Sequence, residues 1–90
     1  METWEIIVKG KVQGVWYRAS TRERALQLGI KGWVRNEPNG SVYMLVQGEQ
    51  QKLERLEAWC YEGPQFAKVT EVKAFRVNTK ETFSDFEIIR

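Results

Sequence analysis

WEIIVKGKVQGVWYR, the stretch Trp4–Arg18, decides the fold. Trp4, Ile6 and Val8 share one face of an alternating run ending at Gly10, the period-two pattern of a half-buried strand. Lys11–Arg18 follows as a loop with Gly14 at its centre. From about Tyr17 the pattern turns helical: Tyr17, Thr21, Ala25 and Leu28 share a face, while Arg22, Glu23 and Gln27 point away. Gly29 is placed to stop that helix. A strand feeding a glycine loop that opens a helix is the first half of a β-α-β unit.

The rest of the chain repeats the theme. Ile30–Asn36 reads as a second strand, Glu37-Pro38-Asn39-Gly40 as a tight turn, and Ser41–Gln47 as a third strand with Val42, Met44 and Val46 on one face. Gly48 breaks the pattern. Glu49–Glu62 is a second amphipathic helix carrying Leu53, Leu56 and Cys60 on one stripe, ended by Gly63-Pro64. Val69–Asn78 is a fourth strand. After a polar loop, Ser84–Arg90 is a short last strand with Phe86 and Ile88 on one face. The order β-α-β-β-α-β, plus a terminal strand, predicts an α+β, ferredoxin-like two-layer sandwich: an antiparallel sheet with two helices on one face.

Ninety residues make a single domain, residues 1–90, with no room for a second core. A net charge of +2 is too weak to predict nucleic-acid binding, though it repels no anion. The one cysteine, Cys60, sits on the apolar stripe of the second helix, so it reads as core and precludes an internal disulfide. With no signal-peptide pattern and no membrane-length apolar run, a soluble cytoplasmic protein without membrane association is expected.

The Gly10–Arg18 loop is the candidate anion site. Backbone N–H groups at a helix start lack intrahelical partners and carry the positive end of the helix dipole. Gly14 lets the backbone curl close to a ligand, and Arg18, one turn in, offers a planar fork suited to phosphate. From these residues alone, a plain strand-to-helix connection with a surface arginine is the favoured reading, since glycine turns and helical arginines are common.

Several phosphate chemistries are excluded. The patterns G-x-x-x-x-G-K-[ST] and G-x-G-x-x-G are absent. Val12 stands where a cysteine phosphatase would carry its nucleophile. The chain has no histidine, Asp85 is its only aspartate, and no cluster has metal-ligand spacing, so no metal or cofactor is expected. A hydrolase so equipped suits a carboxyl phosphate, whose leaving carboxylate has a free pKa near 4 and needs no general acid. Positioning and charge stabilisation suffice.

V-Q-G-V-x-x-R at Val12–Arg18, G-W-V-R-N at Gly32–Asn36 and Asn39-Gly40-Ser41-Val42 closely resemble the acylphosphatase family, with a likeness extending over nearly the whole chain. The resemblance implies a ferredoxin-like enzyme that hydrolyses the carboxyl-phosphate bond. It implies that Arg18 and the loop Gln13, Gly14, Val15, Trp16, Tyr17 and Arg18 hold the phosphoryl group, and that Asn36 orients the attacking water. Geometry agrees: the first two strands run the same way, and two inter-strand steps of roughly 10 Å separate the loop from Asn36 if the third strand lies between. Ignoring the loop, Asn36 also reads as a turn residue before Pro38. The partner would be a small-molecule acyl phosphate, with inorganic phosphate as product or inhibitor, bound by a monomer.

One departure stands out. The family often has Gly or Phe, then Phe, where this chain has Trp16-Tyr17. A bulky residue is strained at positive φ, so ordinary φ is expected at Trp16, with its ring partly exposed at the mouth and Tyr17 packed beneath the first helix. Two rival readings use the same scaffold. One is a catalytically silent phosphate or acyl-phosphate binder. The other is an RNA-binding sheet, since Lys31-Gly32-Trp33 matches the opening of an RNA-binding motif from which Val34 and Arg35 depart. Arg22, Arg24, Lys52 and Arg55 read as solvated helix faces, and Arg35 should face away from Asn36.

Overall fold

A computed structural model describes residues 1–90. The elements are β1 (Glu2–Lys11), α1 (Tyr17–Leu28), β2 (Lys31–Asn36), β3 (Val42–Gly48), α2 (Gln50–Cys60), β4 (Lys68–Arg76) and β5 (Phe86–Ile88). They form one sheet in the order β4-β1-β3-β2-β5. The third strand separates the first two, as the loop-to-Asn36 spacing requires.

The alternating pattern sets the two faces. Trp4, Ile6 and Val8 of β1, Val34 of β2, and Val42, Met44 and Val46 of β3 are buried. They form one cluster with Tyr17 and Ala25 of α1 and Leu53, Leu56 and Cys60 of α2, so both helices cover the same side. The other face carries Trp33 stacked on Tyr43, ring centroids 5.5 Å apart, with the Arg35 guanidinium 5.0 and 5.1 Å from the two ring centres. Arg35 thus faces away from the helices, as its strand parity requires.

The sheet is not wholly antiparallel. β1 pairs β3 and β4, and β2 pairs β3, in antiparallel fashion, but β5 joins β2 in parallel. The reason lies in the chain's route. After β4, at one edge, residues 77–85 carry it to the opposite edge. The buried Gln47 side chain clasps that crossing, donating to the Glu81 carbonyl at 2.8 Å and accepting from Phe83 N–H at 3.1 Å. Arg22 Nε of α1 then donates to the Phe86 carbonyl at 3.1 Å, fixing β5 beside Gly32–Val34 of β2.

Gly32 permits the tight β2–β3 pairing behind the site. Its φ is 134°, and a Cβ there would fall on the Leu45 carbonyl. No other residue type fits without moving a strand.

Candidate active site

The loop between β1 and α1 is anchored from behind. Val12 and Val15 are buried in the core. Gln13 Nε2 donates to the carbonyls of Glu37 at 2.8 Å and Ser41 at 2.9 Å, in the β2–β3 turn. These three side chains hold the loop while Gly14, at φ 74°, turns the backbone between them.

Trp16 departs from expectation. Its φ is 67°, the left-handed region, where an L side chain costs roughly 1–2 kcal/mol. The neighbours impose this conformation. Val15 is fixed in the core, and Tyr17 must enter beneath α1, where its hydroxyl donates to the Cys60 carbonyl at 2.8 Å and its ring lies 5.4 Å from that of Trp59. The single residue between these anchors absorbs the turn. The expected exposure holds: the Trp16 side chain stands out at the mouth, 76% exposed, while Tyr17 is buried.

The consequence is a run of free donors. The first helical bond of this segment is Ser20 N–H to the Trp16 carbonyl at 3.0 Å, and the N–H groups of residues 13–19 find no acceptor within the protein. Consecutive unpaired amides around left-handed residues form an anion-binding concavity, here reinforced by the N-terminal end of α1.

Asn36 ends β2, paired with Val42 of β3. The turn beyond it is rigid: Glu37 N–H donates to the Ser41 carbonyl at 2.8 Å, and Asn39 Oδ1 accepts from both Ser41 N–H at 3.0 Å and Ser41 Oγ at 2.6 Å. Asn36 Oδ1 is buried with no hydrogen-bond partner. An orphaned amide oxygen beside an anion cradle is unusual enough to need a functional explanation.

A cavity of about 370 Å³ joins these parts, lined by Val12, Gly14, Trp16, Tyr17, Arg18, Ala19, Asn36 and Ile88. Of the expected residues, Gly14, Trp16, Tyr17, Arg18 and Asn36 meet there. Gln13 and Val15 do not line it; they brace the loop from behind. Val12, Ala19 and Ile88 were not anticipated. Ile88 reaches the cavity only because β5 crosses to β2, which no local pattern signals.

No side chain offers an obvious nucleophile or base. Burial pushes the Cys60 thiol up to about 12, against a lesser lowering by its contact with Tyr17. Burial likewise pushes the Tyr17 phenol far above its ordinary value. No three His, Cys, Asp or Glu side chains converge in a way that could hold a metal ion. The site's resources are oriented amides, a guanidinium and a carboxamide.

A ferredoxin-like sandwich with an amide cradle and an arginine at one end of its central strands defines a small phosphate-handling protein. The comparisons narrow the class. The Acylphosphatase family model matches residues 4–88. An acylphosphatase of Marinobacter nauticus is 49% identical over 92% of this chain and 90% of its own, and one from Methylococcus capsulatus is 40% identical over 100% and 98%. The crystal structure of acylphosphatase from Bacillus subtilis superposes with a TM-score of 0.96 at 31% identity, each chain covered completely. The chain belongs to the acylphosphatase family.

Proposed function

We propose that this chain, acting as one monomeric catalytic unit, hydrolyses acyl phosphates by direct attack of an Asn36-oriented water on a phosphoryl group held by the 13–18 loop and Arg18. Family membership gives the activity, cleavage of the carboxyl-phosphate bond of a small acyl phosphate. The run of unpaired amides at residues 13–19 is the observation that carries the mechanism.

The steps follow from the groups present. The loop amides and the Arg18 fork bind the phosphoryl oxygens and stabilise the charge spread over them in the transition state. Asn36 Oδ1, lacking a donor within the protein, accepts a hydrogen bond from the water; the carboxamide is held at fixed distance from the loop by the β2–β3 pairing. The water oxygen bonds to phosphorus as the phosphorus–acyl oxygen bond breaks. The carboxylate leaves with the electron pair, and the water's proton passes to a phosphate oxygen. No side chain changes protonation state, which suits a chain without histidine. Charge stabilisation comes from amides and Arg18, so the reaction needs no metal. Nor does the site need a second copy of the chain, since every group assigned a role belongs to one. A cytoplasmic location accords with a single unpaired thiol, which a reducing compartment keeps free.

Hydrolysis of benzoyl phosphate with excess EDTA, in wild type and Arg18→Ala, tests this reading. Turnover should survive EDTA and fall by at least about 10³ in kcat/KM in the variant, the scale of removing a preorganised charge clamp. Phosphate binding without wild-type turnover would instead assign a silent binder.

A further inference from the structure

The cavity is larger than a phosphoryl group requires and is unevenly lined. Arg18, Asn36 and the loop amides supply its polar side; Trp16, Ala19 and Ile88 supply an apolar one. Trp16 is 76% and Ile88 41% exposed, so two large apolar side chains face solvent beside a charged site. Trp16 also occupies a left-handed conformation better suited to glycine. Nothing within the protein rewards it: the close aromatic pairs are Tyr17–Trp59 and Trp33–Tyr43, and the indole N–H has no acceptor among the side-chain hydrogen bonds. A strained, unpartnered indole at a cavity mouth is a platform for something outside the chain.

We propose that Trp16 and Ile88 form an acyl-group subsite that selects acyl phosphates bearing a flat, apolar, preferably aromatic acyl group. This rests on the phosphoryl-binding reading above, since the acyl group must project from a phosphoryl anchored on the loop. Trp16 is the residue immediately ahead of the first helical turn, two positions from Arg18, so its ring borders whatever Arg18 holds. Ile88 faces the cavity from β5, whose position is fixed by Ile89 N–H donating to the Val34 carbonyl at 2.9 Å and by Arg22 on the Phe86 carbonyl. The lining therefore combines an indole with a branched aliphatic held on a strand. An acetyl group would leave most of a cavity of about 370 Å³ empty, whereas a benzoyl ring fills more of it and offers the indole an apolar partner.

The test compares kcat/KM for benzoyl phosphate and acetyl phosphate in wild type, Trp16→Gly, Trp16→Phe and Ile88→Ala, with competitive inhibition by inorganic phosphate as a check on the loop. The readout is the benzoyl-to-acetyl ratio, which cancels any effect common to both substrates. Wild type should favour benzoyl phosphate. Trp16→Gly should shrink the preference about tenfold, the scale of one aromatic contact, and chiefly through KM. Trp16→Phe should retain most of it, and Ile88→Ala should lower it severalfold. Parallel losses on both substrates, or a wild type without preference, would overturn the subsite while leaving the hydrolase intact. Failure to hydrolyse either substrate would instead overturn the reading on which it rests.

Discussion

At the scale of the residue, Asn36 separates stability from chemistry. Its Oδ1 is buried without a partner, and an orphaned acceptor is destabilising by about 1–3 kcal/mol. Replacing the side chain with alanine removes that cost along with the acceptor proposed for the water. Asn36→Ala should therefore melt at or above the wild-type temperature while kcat falls about 100-fold, with phosphate inhibition little changed. Thermal unfolding and steady-state kinetics on the same sample decide it; undiminished kcat would exclude water positioning. Trp16 makes the complementary point. Its neighbours Val15 and Tyr17 impose its strain, and that constraint was invisible from its own identity. The sequence motif pointed to Arg18 and Asn36, which line one cavity, because chemistry restricts which side chains can do the jobs proposed for them. It could not give the φ of Trp16, which depends on how deeply two flanking residues are buried.

At the scale of the element, strand parity and helix stripes were legible because burial of one face is what makes each element stable. Trp4, Ile6 and Val8, or Leu53, Leu56 and Cys60, announce their face by spacing. Pairings between distant segments were less so. The parallel seat of β5 depends on a crossing clasped by Gln47, and only that crossing brings Ile88 to the site. Gln13 is a second such case: its side chain ties the loop to the β2–β3 turn, a pairing that no local pattern signals. Arg18 lies on α1 just after that loop and Asn36 ends β2 just before that turn, so Gln13 ties together the segments that flank the two proposed catalytic groups. Gln13→Leu leaves two carbonyls without this donor, a loss of about 1–2 kcal/mol in stability. Well below its melting temperature, the variant should lose about tenfold in kcat, a modest misplacement of groups that must act together. Inhibition by inorganic phosphate, which under the proposed mechanism the loop binds without Asn36, should change less than threefold. If kcat stayed at the wild-type value in the folded variant, Gln13 would be a structural brace alone.

At the scale of the whole molecule, the titratable groups that folding perturbs all shift in one direction. Burial, chiefly, raises the Cys60 thiol from an ordinary 9.0 to about 12. It also raises the Tyr43 phenol to about 12, helped by the hydroxyl's 2.5 Å hydrogen bond to Glu5 Oε2, and lifts Tyr17 further. A raised pKa means that the native state keeps a proton the unfolded chain releases. The stability these groups contribute is thus complete below pH 9 and is lost as pH rises from about 9 through 12. Each group titrating only in the unfolded chain contributes a slope of about 1.4 kcal/mol per pH unit; Tyr43, partly solvated, gives less. The urea midpoint should therefore hold steady from pH 7 to 9 and fall increasingly steeply above it, as phenols join the thiol beyond pH 10. In Cys60→Ala the decline should begin about one pH unit later, on a baseline lowered by the missing core atom. A variant whose decline still begins at pH 9 would show that the thiol is not what couples this fold to alkaline pH.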